Sequence, residues 1–411
     1  MRRLISIVGL QLYALCLAVM QLSVGLRTDE AKYLLNVPYP HPPLARSVLA
    51  TIKMFPYQEL LWRIVLASLL VQLVWCVIVL TSDKRLQRLL ACLWLTVPAL
   101  ILQSGSIMMA PLTAVSGFLF LIAAASSQRI KLEKDEYLGK RQAFFLGVLW
   151  LASLFTAYQA VLYLPLVIAA FLRSSIARWK AVVYIFAPLV ALGLYTLINP
   201  LAIASMGNAA TENGSLSLLM HAHNAFMLWV LGGGIVFGIT GIIGIVLSRR
   251  FEIIATLVLI FTYCTLSYHD YYAIFLVPLL LYGTFVLVRT WSRSSIILLT
   301  IIGTLSSLCV SAYFLQFFDT THANLPRQTM TQLHAARPDI FDATASQRTM
   351  LMVGYFGHDW QYESPFEVHK YSDALKNTHS DILVCLQSCT DTLKQGMQRV
   401  AEVTAAEVYV Q

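Results

Sequence analysis

Apolar runs of about 20 residues recur along most of this chain, and each is long enough to cross a hydrocarbon core about 30 Å thick. They fall at 4–26, 60–81, 89–103, 107–127, 181–198, 219–247, 252–268, 271–288 and 295–317. The stretch 142–172 is ambiguous: its length would suit one long tilted helix, but basic clusters flank it at both ends. The positive-inside rule then demands an even number of crossings, met by two short helices breaking near 155–159. Eleven spans follow, so an inside N-terminus puts the C-terminus outside. Arg2 and Arg3 precede the first run, which is longer than the apolar region of a cleavable signal and reads as a span.

Composition agrees with a chain dissolved largely in lipid. Hydrophobic residues are 58% and charged residues 12% of the 411 positions, about half the charged fraction usual in soluble domains. The pI near 9.1 does not point to nucleic acid, because the charge is unevenly placed. Beyond Leu315 there are 7 Lys/Arg against 11 Asp/Glu, a net of −4; the rest holds 22 against 10, a net of +12. Seventeen of those 22 lie in clusters at 2–3, 84–88, 129–141, 173–180, 249–250 and 289–293, all on one side of the membrane in the eleven-span reading. The other five, Arg27, Lys32, Arg46, Lys53 and Arg63, lie in or beside one loop on the opposite side.

The expected fold is mainly α: a polytopic helical membrane domain over 1–317, then a small extracytoplasmic α/β domain over 318–411. In the latter, 350–355, 381–386 and 406–410 read as strands and 391–402 as a helix. Five cysteines sit in apolar runs as small hydrophobes. Cys385 and Cys389 lie four apart in the tail, where an extracytoplasmic location would permit a disulfide.

The loop 27–58 carries the chemistry-bearing residues. It contains Pro38, Pro40, Pro42, Pro43 and Pro56, and loops of this length in compact proteins are usually functional or disordered. Its first segment is Arg27-Thr28-Asp29-Glu30-Ala31-Lys32-Tyr33, followed by Tyr39-Pro40-His41-Pro42-Pro43-Leu44 and Arg46. A carboxylate beside cations at the interface suits sugar transfer from a polyprenyl phosphate. The carboxylate takes the acceptor hydroxyl's proton, and the cations neutralise the leaving phosphate. Interfacial charges that only anchor a helix end are the plain alternative, and Lys53 and Arg63 are expected to do that.

An Asp-Glu pair after the first span, then Ala-x-Tyr and a downstream His-Pro-Pro-Leu, resembles the first outer loop of C-type (GT-C) membrane glycosyltransferases. Protein O-mannosyltransferases and the bacterial transferases that add aminoarabinose or other sugars to lipid A are the nearest groups. The resemblance implies Asp29 as catalytic base and Glu30 as the residue orienting the site or a divalent metal. It implies Lys32 and His41 near the donor phosphate, with Tyr33 and Arg46 beside them. It extends weakly to Tyr158, to 188–200 ending in Asn199, and to His269 and Asp270 in Tyr268-His269-Asp270-Tyr271-Tyr272. Many relatives carry Asp where Ala110 precedes Pro111, and Lys near Thr156-Ala157-Tyr158; this chain has neither. The partners implied are a polyprenyl-phosphate sugar donor, a lipid or glycan acceptor and the bilayer, with no nucleic acid. The implied setting is a bacterial inner membrane with the site facing the periplasm. A flippase or transporter of lipid-linked sugars is the main alternative, though such proteins place ionisable residues inside their spans. A diverged, inactive relative is the other.

Overall fold

The structure is a computed structural model. It describes residues 2–24, 30, 33, 41–49, 51, 58–78, 81–126, 139–199, 202–203, 217–316, 349–355, 358–363, 367–370, 382–385, 389, 391–403 and 406–410. The chain divides into two compact units. One is Met1–Val19, Tyr39–Ala45 and Leu61–Phe317; the other is Met20–Pro38, Arg46–Leu60 and Phe318–Gln411.

The protein is mainly α-helical. The described helices are α1 (Arg2–Val24), α2 (Pro43–Leu49), α3 (Gln58–Gln72), α4 (Val74–Ile78), α5 (Lys84–Thr96), α6 (Pro98–Gln103), α7 (Met109–Ser126), α8 (Lys140–Thr156), α9 (Leu164–Leu172), α10 (Arg178–Ile198), α11 (Leu218–Ser248), α12 (Phe251–Leu266), α13 (Val277–Val288) and α14 (Arg293–Leu315). Among the described residues, five helical stretches are long and apolar enough to cross a membrane: Glu59–Ile78, Arg178–Ile198, Leu218–Ser248, Asp270–Val288 and Arg293–Leu315. Four shorter apolar helices accompany them, within Ile7–Gln21, Met109–Ala125, Tyr158–Leu172 and Phe251–Leu266. Polar residues mark helix starts: Asp83, Ser217 and Ser292 each accept a backbone N–H of the turn that follows.

Burial separates core from periphery. The Asp270–Val288 stretch has 83% of its apolar window buried, against 22% for α10 and 28% for α14, whose exposed Val, Leu, Ile and Phe side chains face outward. Helix α13 is central because α11 approaches it backbone to backbone. A methyl added at Gly244 would overlap the Gly283 carbonyl, and one added at Gly283 would overlap that of Gly241. Small residues permit this approach, which strengthens van der Waals contact where lipid offers no hydrophobic drive between helices. Helix α11 kinks at Gly234, whose φ of 62° is open to glycine at little cost.

Several expected continuous spans are broken. The break expected near 155–159 is present: α8 stops at Thr156, Ala157 is extended, Tyr158–Tyr163 form a 3-10 turn and α9 resumes. The run 89–103, expected to be one helix, is interrupted at Val97, since Pro98 lacks the N–H that a continuing ladder needs. The run 271–288 opens as a 3-10 turn, Asp270–Phe275, before α13. Both 3-10 turns follow one plan. An extended residue (Ala157 or His269) precedes each, and a proline (Pro165 or Pro278) opens the next helix.

Polar groups gather near the two ends of α7, whose 18 residues span about 27 Å at 1.5 Å per residue. Beside its C-terminal end, Glu252 Oε1 accepts from Arg173 Nη1 at 2.9 Å and from Arg250 Nε at 2.8 Å. Both guanidiniums also donate to the Ala124 carbonyl, at 3.2 and 2.8 Å. This cluster ties together the turns that follow α9 and α11.

In the second unit the tail forms a six-stranded sheet, ordered β3-β2-β1-β4-β6-β5. The strands are β1 (Thr349–Tyr355), β2 (His358–Glu363), β3 (Glu367–Lys370), β4 (Ile382–Cys385), β5 (Gln398–Val403) and β6 (Ala406–Val410). Only the β1–β4 pairing is parallel among those described. The helix expected over 391–402 is corrected. It is one turn, α15 (Asp391–Lys394), ended where Gly396 takes φ 81°, and from Gln398 the chain pairs antiparallel with β6 as a strand, with a bulge between Arg399 and Ala401. Cys385 and Cys389 are joined by a disulfide and pack with Leu383, Leu393, Met397 and Tyr409.

Candidate functional site

At the N-terminal end of α7 the chain leaves the helical ladder at 104–108, and a buried charge holds that turn. Arg63, in the second turn of α3, is 0% exposed and donates Nη1 to the Gly105 carbonyl at 2.9 Å. The sequence reading placed Arg63 among residues reaching for headgroups, and this is corrected. A guanidinium out of water needs hydrogen-bond acceptors in fixed positions, so it anchors the turn rather than snorkelling.

The turn is wired to the second 3-10 segment. Ser106 Oγ donates to Gln103 Oε1 at 3.0 Å, and Gln103 Nε2 donates to Asp270 Oδ2 at 3.1 Å. The other carboxylate oxygen accepts the Tyr271 N–H at 2.9 Å, so Asp270 both starts the 3-10 turn and binds it to α6. His269, just before it, is exposed; its ring stacks on Tyr271 (centroids 5.0 Å, 10°) and meets Tyr272 edge-on at 5.2 Å.

The first 3-10 segment joins the same cluster. Gln159 is 4% exposed, and its Nε2 donates to the hydroxyls of Tyr263 at 3.0 Å and Tyr272 at 2.9 Å. Tyr158, its neighbour, accepts a long hydrogen bond from Thr196 Oγ1 at 3.4 Å. The His41 ring lies 6.0 Å from that of Tyr158, tilted by 44°. Residues distant in sequence thus form one run of contacts: His41 to Tyr158, Gln159 to Tyr272, Tyr272 to His269, and Asp270 to Gln103.

Four expected positions, His41, Tyr158, His269 and Asp270, are therefore brought together in the helical unit. Glu30 and Tyr33 are helical and buried, and Arg46 is half-buried in the last turn of α2; these three belong to the second unit. Asp29 and Lys32 lie outside the described residues. Asn199, at the end of α10, donates weakly to Tyr195 at 3.4 Å. Gln103 and Gln159 were not picked out from sequence; a lone Gln in an apolar run is the one signal that could have found either.

No group of three or more His, Cys, Asp or Glu able to hold a metal ion is assembled among the described residues. The cluster's own donor set, one carboxylate among amides and hydroxyls, does not fit a divalent metal. What the cluster offers is hydroxyls, amides and aromatic faces around one bound carboxylate. No family model matches this chain, and neither a curated protein nor a solved structure does.

Proposed function

We propose that the protein is a glycosyltransferase that moves a sugar from a polyprenyl-phosphate donor to a lipid or glycan acceptor at the outer face of a bacterial inner membrane. The observation that carries this reading is the polar cluster around Gln103, Gln159, Tyr272 and Asp270, built where 3-10 turns lead into two of the helices. Backbone that leaves the helix at membrane depth is tolerated where protein buries it or where it lines a polar cavity. An enzyme working on a headgroup has a use for such a place.

In this reading the chain crosses eleven times, with the clustered Lys and Arg inside and the tail outside. The Cys385–Cys389 disulfide supports the tail's orientation, since such bonds persist in oxidising compartments. Asp29 is the base that deprotonates the acceptor hydroxyl, and Lys32, His41 and Arg46 neutralise the departing phosphate. Glu30 and Tyr33 support that loop. Transport without chemistry is less well supported. Among the described residues, the ionisable groups of the apolar helices, such as Arg63 and Glu252, lie in first or second turns, away from the midplane where transporters bind their cargo.

Mass spectrometry of envelope glycolipids from cells with and without the gene tests this reading. One glycolipid should lose one sugar when the gene is deleted, and Asp29→Asn should reproduce the deletion. An unchanged glycan profile would refute it.

A further inference from the structure

Gln159 holds more hydrogen-bonding capacity than its neighbours use. Its side-chain nitrogen donates to both Tyr263 and Tyr272, yet its Oε1 is buried with no hydrogen-bond partner among the described residues. Turning the amide over would only leave its nitrogen in that position. Buried amide oxygens are nearly always paired, so the unused acceptor points to something that donates to it. A second group repeats the pattern. Ser104 Oγ is fully buried and has no partner among the described residues, and it is adjacent to Gln103, which binds Asp270. One unused group is on, and the other is next in sequence to, a glutamine bonded to the 3-10 turn Asp270–Phe275.

The surroundings define the chemistry that fits. Tyr158 and Tyr263 are half-buried and His269 is exposed, so the cluster reaches the surface. Its hydrogen-bonding groups are phenols, the amides of Gln103 and Gln159, and serine hydroxyls. The one carboxylate, Asp270, is already engaged by Tyr271 N–H and Gln103. Hydroxyls that can each donate and accept, on a ring whose C–H face packs against aromatic carbon, match this set. A phosphate would instead seek cations.

We propose that Gln159, with Tyr263, Tyr272 and Ser104, forms a sugar subsite that recognises the hydroxyls of a neutral hexose. This inference rests on the donor reading above and adds that the sugar is uncharged and that Gln159 discriminates it. Gln159 is a binding residue here and takes no part in bond making.

The test uses the full chain in nanodiscs and three probes: a short-chain polyprenyl phosphate, the same lipid bearing glucose, and the same lipid bearing an amino sugar. Wild type should bind the glucosyl lipid about tenfold more tightly than the bare phosphate. Gln159→Met keeps the volume without the amide, and Tyr263→Phe removes one hydroxyl. Each should erase most of that advantage while leaving affinity for the bare phosphate unchanged, which also reports intact folding. An advantage unchanged in both variants would mean that water completes the cluster, and overturns the subsite. Loss of both probes alike in both variants would show a structural role and also overturns it. Equal binding of bare and glucosyl lipid by wild type, or preference for the amino sugar, overturns the neutral-hexose assignment and leaves the donor reading standing. Failure of wild type to bind any probe would refute the donor reading itself, and the subsite with it.

Discussion

Glu252→Gln should destabilise the helical unit strongly, and the ion cluster at the C-terminal end of α7 shows why. Glu252 Oε1 receives Arg173 and Arg250 at 2.9 and 2.8 Å, and both guanidiniums crowd the same Ala124 carbonyl. Glutamine keeps the shape but removes the only negative charge seen between them among the described residues. The Arg250 side chain, 8% exposed, then faces another guanidinium with little water to screen it. Removing one partner of a buried ion pair costs about 3–5 kcal/mol. Arg173 is a third exposed, which lowers the expectation to about 2–4 kcal/mol. That corresponds to a fall in melting temperature on the order of 5–10 °C, read by tryptophan fluorescence in detergent. Adding Arg173→Met to Glu252→Gln should restore part of the loss, because one of the opposed charges is gone. A melting temperature within about 1 °C of wild type would refute the reasoning.

Gly244→Val should collapse expression of folded protein, since its side chain must occupy the place of the Gly283 carbonyl; overpacking costs about 1–3 kcal/mol even where neighbours yield. Size-exclusion chromatography with a fluorescent tag would show it, and a normal monodisperse peak would count against the packing. Asp29→Asn should lower transfer by about 10²–10⁴-fold without changing insertion, as measured by complementation of the glycolipid. Alkylation of denatured, unreduced protein followed by mass spectrometry should leave Cys385 and Cys389 unlabelled. Their double replacement by Ser should loosen the tail by about 2 kcal/mol, the value for so short a closed loop.

Much of the helical plan was legible because lipid imposes simple rules. Apolar length marked the helices, and basic clusters on both sides of 142–172 forced a break that appears at Ala157. Interruptions within a run were less legible. Val97-Pro98 lies inside an apolar run, where only the missing proline N–H betrays the break, and the run 271–288 shows no sign that its first residues form a 3-10 turn rather than α-helix. Arg63 was misread for a related reason: a charge near a span end looks the same in sequence whether it turns to lipid headgroups or into protein. Tail strands β2 and β3, His-Asp-Trp-Gln-Tyr-Glu and Glu-Val-His-Lys, carry too many charges to stand out, and a single glycine at 396 decided between helix and strand after Lys394. The bonds from Gln103 to Asp270 and from Gln159 to Tyr272 join residues 167 and 113 apart. No local pattern announces them.

The most direct test follows a labelled sugar. Purified protein in nanodiscs, given a radiolabelled polyprenyl-phosphate sugar pool and envelope lipids, should release free polyprenyl phosphate and move the label onto another lipid. The Asp29→Asn protein should do neither. Label that remains on its polyprenyl carrier, whether or not it crosses the bilayer, would contradict glycosyl transfer.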